Sequence, residues 1–77
     1  MEKARVEIVM NQIEWAIEDC IKEVERSKKG IEHELAYFNE VTSPMSIAQY
    51  GRDMEEATNR RKLFEAQKRQ LTFLMAE

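Results

Sequence analysis

Helix breakers, cysteine and histidine are all scarce in this chain. A single cysteine, Cys20, excludes an intrachain disulfide, so the scaffold is not stapled, and a reducing compartment, most simply the cytoplasm, is the expectation. One histidine, His33, excludes the paired-histidine metal motifs. It stands between Glu32 and Glu34, and the residue three before it is Gly30, so the Glu-x-x-His of carboxylate-bridged bundles is missing as well. The two glycines, Gly30 and Gly51, stand apart, which excludes a phosphate-cradling loop. No apolar run is long enough to cross a bilayer, and the stretch Met1 to Glu7 lacks the charged-then-apolar plan of a signal peptide. These absences predict no catalytic residues, no metal, no cofactor, no small-molecule substrate and no membrane partner. The chain is not expected to be an enzyme.

With one proline and two glycines among 77 residues, and 35% charged residues rich in Glu, Lys and Arg, the composition is that of long helices. The length allows one domain, 1–77, with a core too small to be robust unless a partner adds to it. Val6, Met10, Ile13, Ile17, Cys20, Val24 and Ser27 alternate in steps of four and three, the rhythm of a helix burying a narrow seam. After Ile31 the next apolar residues are Leu35 and Phe38. Those two predict an extra four-residue step, a stutter, close to Gly30. We expect one helix over about 2–39 with a weak point at Gly30; the alternative is a break there and a short helix from Ile31 to Phe38.

A turn is expected over about 40–46. Ser43 can cap a helix with Pro44 in its first turn, or Ser46 can cap with Gln49 closing a capping box. A second helix over about 46–76 follows, with Ile47, Tyr50, Met54, Ala57, Arg61, Phe64, Lys68, Leu71 and Met75 in its seam. Arg61 and Lys68 would lay their stems along the seam and push their charges to its edge. So short a connection forces the helices antiparallel. The fold class is therefore all-α, a coiled-coil-like hairpin of two helices, with a four-helix bundle formed by association. Antiparallel folding would set Phe38 near Ile47, Ile31 near Met54, Ser27 near Ala57, Cys20 near Phe64 and Glu23 near Arg60. Acid-first pairs four apart, Glu18–Lys22, Glu25–Lys29, Glu56–Arg60 and Glu65–Arg69, would support the helices.

One seam cannot use all the apolar side chains. Ile8 and Trp15 share a face far from the Ile13–Ile17 line, Ile21 widens the seam, and Leu63, Phe73 and Leu74 stand outside it in the second helix. Antiparallel folding brings this surplus to the end holding the termini. A protein interface at Ile8, Trp15, Ile21, Leu63, Phe73 and Leu74 is the expectation, with a second copy (a homodimer) or another helical protein as partner. The function expected is that of a small adaptor, regulator or chaperone-like protein. The alternative is a dimeric bundle binding nucleic acid through Arg60, Arg61, Lys62, Lys68 and Arg69, which could equally serve an acidic protein partner. Interspersed acids and a net charge of -3 weigh against nucleic acid.

Overall fold

Two helices of equal length lie side by side, α1 over Lys3–Ala36 and α2 over Ser43–Ala76. The computed structural model describes residues 3–76, so the expected start of the first helix at residue 2 lies outside the described residues. The hairpin is 57 Å long and at most 15 Å across. Each helix buries one residue in every seven. In α1 these are Val6, Ile13, Cys20 and Ser27, and in α2 Ser43 and Ala57, with Tyr50, Phe64 and Leu71 half-buried in the same row. A second row, Met10, Ile17, Val24 and Ile31 facing Ile47, Met54 and Lys68, is half-buried and completes the heptad seam.

Gly30 does not break α1, because the helix runs through it without interruption. A Cβ built on Gly30 would lie 2.5 Å from Cζ of Tyr50, so the glycine is the socket that receives the Tyr50 ring. The weak-point reading rests on helix propensity alone. Close approach of the opposite helix is what this position is used for.

The turn lies earlier than the sequence predicts. The first helix ends at Ala36 and the second begins at Ser43, three residues before their expected positions. Asn39 accounts for this: its Oδ1 accepts from the N–H groups of Val41 at 2.9 Å and Thr42 at 3.1 Å, folding the chain back on itself. The Ser46 N–H donates to the Thr42 carbonyl at 3.1 Å, so Thr42 occupies the N-cap position and Ser46 is already inside the helix. Pro44 sits in the first turn, where its missing N–H has no intrahelical acceptor to lose. Neither expected cap is used. Ser43 is fully buried, its Oγ accepting from the Asn39 N–H at 2.8 Å and donating to Glu34 Oε2 at 2.7 Å.

That contact corrects the seam as well. The seven-residue step after Ser27 leads to Glu34, which is half-buried against Ser43, and the stutter through Leu35 and Phe38 is not made; both of those side chains are more than half exposed. The register moves accordingly near the turn. Tyr50, not Met54, stands at the level of Gly30, a displacement of roughly one helical turn. Further from the turn, Glu23 and Arg60 meet at 3.7 Å, and Cys20 and Phe64 line one cleft, as the spacing predicts. In two of the four acid-first pairs a member takes another partner: Glu65 accepts from Arg61 Nε at 2.8 Å and Arg60 crosses to Glu23, while Lys68 crosses to Glu14 at 3.3 Å. All these groups are substantially exposed, so each pair contributes at most about 1 kcal/mol.

Two predictions test this packing. Gly30→Ala lowers stability by about 1–3 kcal/mol through overpacking against Tyr50. In a Tyr50→Ala background the same change raises stability by up to about 1 kcal/mol, through helix propensity. Urea denaturation of the four proteins reads that reversal, and a gain in both backgrounds contradicts the socket. Ser43→Ala costs about 1–3 kcal/mol, because the part-buried hydrogen bonds to Glu34 and Asn39 are lost, whereas Ser46→Ala stays within about 0.5 kcal/mol. Equal effects at the two serines would contradict this turn geometry.

Candidate docking face

The heptad rows fix which side chains share a surface. In α1, Val9, Ala16 and Glu23 flank the seam on one side, while Glu7, Glu14 and Ile21 flank it on the other. In α2, Arg60, Gln67 and Leu74 flank one side and Thr58, Glu65 and Thr72 the other. The Glu23–Arg60 pair places the first set of each helix on the same broad face of the hairpin. Glu14 and Glu65 lie on the reverse face, with the ammonium of Lys68 drawn towards Glu14.

The two faces differ in chemistry over the half of the hairpin that holds its ends. On the Glu23–Arg60 face, between Arg5 at the terminal end and Asp19 towards the middle, Val9, Gln12 and Ala16 of α1 lie beside Leu63, Gln67, Gln70 and Leu74 of α2, with no charged residue among them. Over the same length the reverse face carries Glu7, Glu14 and Glu18 with Lys62, Glu65 and Arg69. Leu63 is 65% exposed and Leu74 53%, values far from those of core leucines. Ile8 and Trp15 lie directly opposite the α1 seam, on the outer edge of that helix, and Phe73 holds the same position on α2. Trp15 is 64% exposed and Phe73 67%.

The residues expected at an interface therefore divide. Leu63 and Leu74 lie on one uncharged face, while Ile8, Trp15 and Phe73 stand on its two edges. Ile21 joins neither, being half-buried at the reverse flank of the seam. The surface also has relief. Gln70, Phe73 and Leu74 line a shallow hollow with Arg69, and a cleft of about 190 Å³ between the helices is bounded by Ala16, Cys20 and Phe64 and closed by the Glu23–Arg60 pair.

The basic cluster is largely spent on internal pairs. Arg60, Arg61 and Lys68 each have a carboxylate partner, which leaves Lys62 and Arg69, seven residues apart on the reverse face, without one among the described residues. His33 is exposed, its ring centroid 5.0 Å from that of Tyr37, and Cys20 is buried. The continuous α1 helix holds these two about 20 Å apart along its axis. Among the described residues no group of three or more His, Cys, Asp or Glu side chains is arranged to hold a metal ion, and no helix is long and apolar enough to cross a membrane.

A second exposed apolar group was not anticipated. Leu35, Tyr37, Phe38, Val41 and Met45 crowd the turn end, and each is more than half exposed. The hydrophobic rhythm assigns Leu35 and Phe38 to the seam, which hides this group. The signal that reveals it is Asn39, whose side-chain acceptor ends α1 before Phe38 can pack.

Comparison with protein-family models, curated proteins and solved structures finds no match.

Proposed function

We propose that this protein is a non-enzymatic protein-interaction module, acting as a small adaptor, regulator or chaperone-like protein through the uncharged stretch of its Glu23–Arg60 face between Arg5 and Asp19. The observation that carries this reading is the contrast between two faces of one rigid hairpin. One presents Leu63 and Leu74 without a charge between them, and the other is studded with charge over the same length. A surface turned only towards water has no reason to be so divided.

Trp15, Ile8 and Phe73 at the edges extend the contact around a partner helix, and the face ends at Asp19, Glu23 and Arg60, which set the partner's orientation. Full burial of one large apolar side chain contributes about 1.5–3 kcal/mol. Association costs about 4–15 kcal/mol before any such gain is visible. The partner must therefore cover several of these side chains at once, as a matching helical surface does and a short flexible peptide does not.

The test is sedimentation equilibrium of the full chain and of a Leu63→Glu/Leu74→Glu variant, with far-UV circular dichroism to confirm that the helices persist. The variant is expected to keep its helicity, because both positions are exposed in the hairpin, and to lose self-association at least about tenfold. Unchanged association by the folded variant contradicts the assignment of this face.

A further inference from the structure

The structure points to what occupies this face, and the inference rests on the reading just given: we infer that it is a second copy of the same chain, lying in the same direction, with both turns at one end. Stacking about a two-fold axis parallel to the helices leaves every residue at its own height. The intrachain register then also sets which α1 residue of one copy meets which α2 residue of the other. That register is given by Tyr50 over Gly30, Arg60 beside Glu23 and Lys68 beside Glu14.

Carried across the axis, this register sets each layer of the face against a layer of the second copy. Val9 comes level with Leu74, Gln12 with Gln70 and Ala16 with Gln67, so the glutamine amides meet one another, as donors and acceptors both, while Leu63 comes level with Asp19. In the half nearer the turn, Arg26 comes level with Asp53 and Glu56. Arg26 and Glu56 are exposed and have no ion-pair partner among the described residues, while Asp53 accepts only from the Gln49 amide at 2.9 Å. This charged layer occurs twice in the dimer, once on each side of the axis.

The opposite orientation, with the turns at opposite ends, loses this match. Full overlap would then set the uncharged half of each copy on the charged half of the other. Overlap of the uncharged halves alone would leave Arg26, Asp53 and Glu56 in water. Only the same-direction arrangement gives each of them an opposite charge and also brings the two exposed groups at the turn ends side by side.

The test places one spin label at Val41 in the turn, as Cys20→Ala/Val41→Cys, and measures the distance between labels by pulsed dipolar spectroscopy. The same-direction dimer predicts a distribution at about 15–30 Å, set by interhelical spacings and the label arms. Arg26→Glu is expected to weaken the dimer about tenfold, and adding Glu56→Arg to restore most of that loss. Labels on the order of 50 Å or more apart, the length of the hairpin, would overturn the orientation while the docking face stood. A folded chain sedimenting as a monomer at the labelling concentration overturns the second copy as occupant. A dimer that survives Leu63→Glu/Leu74→Glu overturns the face itself.

Discussion

Close approach of the two helices, permitted by small residues at one heptad position in each, is the constraint on which the rest of this structure depends. Cys20, Ser27, Ser43 and Ala57 are buried there, and Gly30 beside them receives the Tyr50 ring. Small side chains let the backbones come together but remove little apolar area from water. Val6 and Ile13 are the only large aliphatic side chains buried outright among the described residues. The hairpin is therefore well specified in register and thin in hydrophobic content, and Leu63, Leu74, Trp15 and Phe73 stay exposed.

Polar contacts complete the specification at the turn. Asn39 folds the chain, and Ser43 ties the folded segment to Glu34 inside the seam. A buried hydroxyl that accepts one hydrogen bond and donates another is favourable only while both partners stay in place. The turn thus locks the register at one end, and the ion pairs Glu23–Arg60 and Glu14–Lys68 follow it along the two flanks. With the register locked, the uncharged surface takes a fixed shape, so a partner of the kind proposed would meet a face that needs little reorganisation.

Much of this was legible in the residues. The four-three rhythm identified two long helices, the buried row through Val6, Ile13, Cys20 and Ser27, and the half-buried row through Tyr50, Phe64 and Leu71. Apolar periodicity is a direct record of burial, so these positions could be read without coordinates. The turn could not, because hydrophobic rhythm favoured Leu35 and Phe38 over Glu34 as seam residues. A glutamate reads as solvent-facing until the Ser43 hydroxyl that satisfies it is in place. The exposed apolar surplus was legible as residues but not as a surface. Its division into a face and two edges follows from the Glu23–Arg60 contact, which fixes the relative rotation of the helices.

On the proposed function, the seam alone is too thin and a partner on the uncharged face supplies part of the stability. The most direct measurement is thermal unfolding of the purified chain, followed by circular dichroism over a hundredfold range of concentration. If folding and association are linked, the midpoint rises with concentration. A midpoint independent of concentration, with the mass of a monomer throughout, would contradict the account.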